Sequence, residues 1–267
     1  MPMASARGLR MYYELRGSGP PLLLVMGWRA NLDWWPRALL APLEARHRLI
    51  LFDNRGAGRT GDPGGAFSIA QMADDAAALL DALDVPRAHV FGVSMGGMIA
   101  QELALRHPAR VDRLVLACTH AGGTQAMAPD RAMRRAWLRV VGTRWGLERR
   151  LSYLLFSKDV QSEQPELWRD FAAVVGRARI SEWASAKQFL AIARHASHRR
   201  ISEIRAPTLV LAGDGDLMVA PKNAEWLASK IPQARLEVVP GAGHALLHEH
   251  ALRIDGLLGE FLGAQST

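Results

Sequence analysis

The stretch AHVFGVSMGGMIAQELALRH, residues 88–107, changes its periodicity halfway along. Its opening run, AHVFG, suits a strand buried on both faces. From Met95 onward the spacing is helical, and Pro108 stands just beyond the end of that pattern. Between the two lies Gly92-Val93-Ser94-Met95-Gly96-Gly97. A chain that turns sharply from strand into helix has little room for side chains, and glycines supply that room. The residue at the turn is a serine. It is either a polar loop residue or a nucleophile, and a nucleophilic serine needs partners elsewhere in the chain.

The same alternation extends outward from this turn. LRMYYELRG (9–17) reads as a strand, with Arg7-Gly8 as a turn before it. PPLLLVMG (20–27) and HRLILFDNRG (47–56) are apolar runs ended by turn residues. In SIAQMADDAAALLDALDV (68–85), Ser68 and Gln71 form a capping box ahead of an Ala/Leu-rich helix. DRLVLACT (112–119), APTLVLAG (206–213) and ARLEVVP (234–240) are further strands, and HEHALRIDGLLGEFLG (248–263) is helical. Strands alternating with helices through short connections specify an α/β fold, a mostly parallel twisted sheet with helices on both faces. One segment departs from the rhythm. Residues 121–200 carry helical spacing without a strand, so they read as a helical cap inserted late in the sheet. The core is then 1–120 and 201–267.

In such sheets ligands bind beyond the carboxyl ends of the strands. The residues that follow the apolar runs are Trp28 and Arg29, Ser94, Asp214 and Asp216, and His244. A serine, an acid and a histidine therefore emerge at one edge. A serine hydroxyl attacks well only if a base takes its proton, and histidine is the side chain suited to that near neutral pH. A carboxylate behind the histidine fixes its tautomer and stabilises the imidazolium. The helix that starts after Ser94 offers backbone N–H groups to a developing oxyanion.

Together these motifs resemble the α/β-hydrolase family, in particular its compact cap-bearing esterases, lactonases, perhydrolases and carbon–carbon bond hydrolases. Gly92-Val93-Ser94-Met95-Gly96 resembles the nucleophile elbow, and Ser94, Asp216 and His244 follow the family's chain order. GDGDLMVAP (213–221) resembles the acid loop, which selects Asp216 over Asp214. GAGHAL (241–246) resembles the histidine loop, and DNRGAGRT (53–60) the turn after an early strand. The resemblance spans the whole chain and is least specific in the cap. It implies an oxyanion hole built from the backbone N–H groups of Met95 and Trp28. Relatives commonly carry His-Gly before the second donor, whereas this chain has Met26-Gly27, with Trp28, Trp34 and Trp35 crowded nearby. It also implies a serine hydrolase acting on a small ester or lactone without a cofactor. Carbon–carbon bond hydrolysis, perhydrolysis and a non-catalytic ligand-binding role are the alternatives.

Other features have simpler readings. Asp53, Arg55, Gly56 and Gly58 hold a turn beneath the site. His195 and His198 read as surface or hinge residues at the cap exit, and His120 as structural. Trp137, Trp145, Trp168 and Trp183 read mostly as core, with one or two facing substrate. His248 and His250 do not share one helix face, so no metal site emerges, and the glycines of RGAGRTGDPGG lack a dinucleotide-binding context. The lone Cys118 reads as a small buried hydrophobe. At 49% hydrophobic and 22% charged, the chain can build a core without disulfide or metal staples.

The net charge of +7 is concentrated, since residues 119–205 hold 16 Arg/Lys against 8 Asp/Glu. No aromatic-interleaved basic cluster marks a nucleic-acid surface. Steering of anionic substrates is the milder consequence of that charge. No signal-peptide pattern or membrane-length apolar stretch occurs, so the chain reads as soluble and cytoplasmic, with no membrane partner.

Overall fold

A computed structural model describes residues 2–126, 131–141, 146–177 and 180–263. Eight strands form one sheet: β1 (Met3–Ala6), β2 (Leu9–Arg16), β3 (Pro21–Val25), β4 (Arg48–Phe52), β5 (Ala88–Val93), β6 (Val111–Ala117), β7 (Thr208–Gly213) and β8 (Ala234–Val239). Their spatial order is β1-β2-β4-β3-β5-β6-β7-β8. The pairings β1–β2 and β2–β4 are antiparallel, and every other pairing is parallel. The parallel strands β5 and β7 are buried along their whole length, as their unbroken apolar runs require. Truncating a fully buried strand side chain, such as Phe91 of β5 or Leu24 of β3, costs about 2–5 kcal/mol.

The sheet is covered by α1 (Arg37–Glu44), α2 (Ile69–Ala82), α3 (Met95–Arg106), five helices among the described residues between β6 and β7, then α9 (Lys222–Lys230), α10 (Leu246–Glu249) and α11 (Ala251–Gly263). The five are α4 (Arg131–Val141), α5 (Leu147–Leu155), α6 (Lys158–Glu163), α7 (Pro165–Arg177) and α8 (Glu182–Arg194). At their base, Gly122 and Ala196 form an isolated antiparallel bridge, so the chain leaves and re-enters the sheet side by side. Among the described residues of 121–200 no strand occurs. Half of the expected capping box is present: Ser68 accepts a hydrogen bond from the Gln71 N–H at 3.0 Å, without a return bond from the Gln71 side chain among the described residues.

Three elements lie outside the sequence reading. β1 is four residues long and pairs across the turn at Arg7-Gly8. α1 begins after Pro36 and contains Pro42, which disguises its helical spacing. α9 follows Pro221 and presents only Asn223, Ala224 and Leu227 as buried positions. No described helix is long and apolar enough to cross a membrane.

The strand order reverses between β3 and β5, because β4 lies on one side of β3 and β5 on the other. This switch point opens a crevice at the carboxyl ends of β3 and β5. Trp28 follows the first of these strands and Ser94 the second.

Candidate active site

Ser94 holds the turn from β5 into α3 at φ 56° and ψ −121°, a backbone conformation that L residues rarely adopt. Hydrogen bonds to its backbone hold it there. Its N–H donates to Ala117 O at 2.9 Å, and its carbonyl accepts from Thr119 Oγ1 at 2.8 Å and Gly97 N at 2.9 Å. The motif glycines answer to close packing. A Cβ on Gly92 would lie 2.3 Å from Gly96 O, and one on Gly96 would lie 2.0 Å from Val25 O. Elbow, β3 and α3 can approach this closely only without those side chains.

Ser94 and His244 line one cavity, with Trp28, Trp34, Met218 and His248 among its other walls. His244 Nδ1 lies 2.7 Å from Asp216 Oδ2. A carboxylate oxygen accepts, so Nδ1 carries the proton and Nε2 keeps its lone pair. Asp216 Oδ1 accepts from Met218 N at 2.7 Å and Val219 N at 2.9 Å, which fixes the carboxylate plane. Asp214 instead braces the neighbouring turn by accepting from Gly241 N at 2.8 Å.

The histidine loop is tied to the β6–β7 segment. Ala245 N donates to Leu155 O at 2.8 Å. Glu249 accepts from Ser157 N at 2.6 Å and from Gly243 N at 2.7 Å, bridging the segment to the residue before His244. Burial raises the pKa of this carboxyl.

The loop after β3 is held differently. Asn54 Nδ2 donates to Met26 O at 2.8 Å. The remaining ties come from α8. Trp28 Nε1 donates to Ser185 O at 2.9 Å, and the Arg29 N–H donates to Gln188 Oε1 at 3.2 Å. Gln188 is fully buried and its Nε2 donates onward to Arg55 O at 2.9 Å. Arg29, at φ 62°, pairs with Glu182 through both terminal nitrogens at 2.9 and 2.6 Å and reaches Ser185 Oγ at 2.9 Å. α8 thus supplies most of the side-chain restraint on the Trp28–Arg29 loop. Among the described residues the backbone N–H groups of Trp28 and Met95 meet no protein acceptor. Both remain free for a ligand oxygen.

Cys118, Asp216 and His244 each bring a ligating atom within 4.8 Å of the other two. Burial first, and then the Asp216 charge, push the Cys118 thiol well above its ordinary pKa, so it stays protonated. Cys118 follows β6 at φ 48° and lies beside Asp216 and His244, a closer association with the site than its apolar run suggested.

Asp53 accepts from Leu32 N at 2.9 Å and Arg59 N at 2.7 Å, and Arg55 makes a buried two-point pair with Asp75. Both hold turns beneath the site. His120 Nδ1 accepts from Gly122 N at 3.0 Å and is absent from the cavity wall. His195 stands at the segment's exit but is buried, not on the surface; burial drives its pKa down to about 3. Trp183 is 71% exposed, against the core reading, because it faces outward from α8 beside Lys187 and Phe67. Trp168 is half-buried and outside the cavity wall. Trp145 and the Trp137 side chain lie outside the described residues. The segment's own contribution to the wall is Leu151, Leu155 and Phe171, which are apolar, so its arginine excess does not reach the cavity among the described residues.

The chain is similar to known hydrolases over nearly its full length. It is 32% identical to a provisionally named carbamate hydrolase of Azorhizobium caulinodans, over 92% of this chain and 92% of that one. It is 28% identical to 3-oxoadipate enol-lactonase 2 of Acinetobacter baylyi, over 88% of this chain and 86% of that one. The solved enol-lactonase of Burkholderia xenovorans superposes with a TM-score of 0.85 at 26% identity, covering 98% and 100% of the two chains. The sequence profile described as alpha/beta hydrolase fold matches residues 20–251. The chain belongs to the α/β-hydrolase fold family.

Proposed function

We propose that this protein is a serine hydrolase that cleaves a small carboxylic ester or lactone through an acyl-enzyme. The observation that carries this reading is the 2.7 Å contact of His244 Nδ1 with Asp216 Oδ2 on the cavity that Ser94 also lines. His244 Nε2 takes the Ser94 proton as Oγ attacks the carbonyl carbon. The oxyanion is held by the N–H groups of Met95 and Trp28. The tetrahedral intermediate collapses, and the leaving alcohol takes the proton from His244. Water then attacks the acyl-enzyme, with His244 again as base, releasing the acid and restoring Ser94. Asp216 holds the ring tautomer throughout and offsets the imidazolium charge.

The β6–β7 helices act in this reading as a cap, since Leu151, Leu155 and Phe171 close the apolar wall over the crevice. Relatives named as carbamate hydrolase and enol-lactonase support a carbonyl with a heteroatom leaving group. That favours ester or lactone cleavage over cleavage of a carbon–carbon bond. A fluorophosphonate probe should label the wild type stoichiometrically and leave Ser94→Ala unlabelled. Hydrolysis of p-nitrophenyl esters should fall by at least roughly 10³-fold in that variant. Equal labelling of the two proteins would overturn the assignment.

A further inference from the structure

His248 lines the cavity four residues after His244, yet the proposed chemistry does not use it. Its Nε2 lies 3.0 Å from Trp34 O. A carbonyl oxygen only accepts, so Nε2 carries the proton. Phe171 meets the ring edge-on, at 5.0 Å between centroids and an interplanar angle of 80°. Burial drives the His248 pKa down to about 4, so the ring is neutral around neutral pH. A neutral ring protonated at Nε2 presents Nδ1 as a lone-pair acceptor. Among the described residues no donor reaches Nδ1.

The surroundings make that acceptor conspicuous. Met26, Val93, Leu151, Leu155, Phe171 and Leu247 give the same wall its apolar character. Arg29 is already paired with Glu182. Trp34, also in the wall, has a buried indole N–H without an acceptor. A polar atom in an apolar cavity favours ligands that satisfy it and penalises those that bury it unpaired. Holding the Trp34 carbonyl requires only a donor at Nε2 and leaves the second nitrogen without a structural task.

We propose that His248 Nδ1 is a specificity determinant: it accepts a hydrogen bond from an O–H or N–H group of the substrate. The pocket then selects hydroxylated or amide-bearing carbonyl compounds over their plain alkyl counterparts. The proposal rests on the reading that substrate occupies this cavity beside Ser94, and names the polar group that substrate carries.

Ketones test it without turnover, since they offer the carbonyl but no leaving group. Dissociation constants are measured by calorimetry for octan-2-one, 4-hydroxyoctan-2-one, 8-hydroxyoctan-2-one and 8-acetamidooctan-2-one. At least one donor-bearing ketone should bind about tenfold more tightly than octan-2-one, the scale of one buried neutral hydrogen bond. The hydroxy and acetamido arms separate an O–H ligand from an N–H ligand. His248→Met keeps the bulk of the ring and should erase the preference. His248→Gln should retain it, because the amide can donate to Trp34 O and still accept. Equal binding of all four ketones by the wild type overturns the proposal, whatever the variants do. So does a preference that survives His248→Met, or an equal loss for all ketones in a folded His248→Met, which would make His248 only a prop for Trp34. Fluorophosphonate labelling reports on Ser94 separately, so a failed nucleophile and a failed His248 leave different signatures.

Discussion

Two loops flank Ser94, and the same helical segment holds them in different ways. On the histidine side, the turn between α5 and α6 offers backbone groups, Leu155 O to Ala245 N and Ser157 N to the Glu249 carboxylate of α10. On the oxyanion side, α8 grips the Trp28–Arg29 loop largely through side chains: Gln188, Ser185 and Glu182. Backbone contacts survive most substitutions of the residues that make them, whereas side-chain contacts vanish with one codon change. The histidine side should therefore tolerate sequence change in the segment, and the oxyanion side should not. Both loops depend on helices that the sheet does not contain, so displacing the segment would disturb the proposed base and the proposed oxyanion donor at Trp28 together.

The largest effect expected on the histidine side lies in the acid itself. In Asp216→Asn an amide nitrogen can face His244 Nδ1, which would then have to accept and leave the proton on Nε2. The base is lost while the geometry stays. The value of kcat should fall on the order of 10³–10⁴-fold with little change in KM. A loss below tenfold would mean that another group orients His244.

Glu249 probes the bridge to the segment. Glu249→Ala removes the acceptor of both Ser157 N and Gly243 N, and should cost about 2–3 kcal/mol in denaturant unfolding. A midpoint unchanged from the wild type would show that water replaces the carboxylate at no cost. Among the described residues, the histidine loop would then be tied to the segment by the Leu155 carbonyl alone.

Gln188 is the corresponding test on the other loop. Gln188→Leu keeps the volume but leaves Arg29 N–H and Arg55 O unpaired in a fully buried site. Looser placement of the neighbouring Trp28 N–H should lower kcat by about 10–30-fold, roughly the worth of one weakened oxyanion donor. KM should move far less, because the apolar walls remain. Gln188→Glu keeps the acceptor for Arg29 N and should recover part of the loss. Equal effects on kcat and KM in both variants would reduce Gln188 to a packing residue.

Much of this was legible in the sequence, and the limits have physical causes. The unbroken apolar runs at β3, β5 and β7 announce strands buried on both faces, and Ser94, Asp216 and His244 stand in the turns after β5, β7 and β8. α1 was hidden by Pro42, and β1 by its four-residue length. The restraints from α8 were invisible for another reason. Gln188 and Arg29 are 159 positions apart, and nothing in a helical Gln marks it as the partner of a distant backbone N–H. In the sequence His248 stands out only beside His250, because its tautomer depends on a carbonyl 214 residues away. Trp183 was misread because aromatic content alone does not say which face of a helix packs.

The smallest expected effect sharpens the comparison most. Arg29 and Glu182 make a two-point ion pair, which by geometry is the most conspicuous contact between α8 and the oxyanion loop. Yet the Glu182 side chain is 82% exposed against 10% for Arg29, so water and salt screen the attraction. Arg29 lowers the Glu182 pKa, which shows the pair is felt but not that it holds the loop. Glu182→Gln should change kcat by less than about threefold, the scale of an exposed pair. The same small change should follow from raising ionic strength in the wild type. If Glu182→Gln instead matched Gln188→Leu, the loop would be held by charge at the surface and not by the buried amide. Activity would then fall steeply with salt, and the order of the two contacts would be reversed.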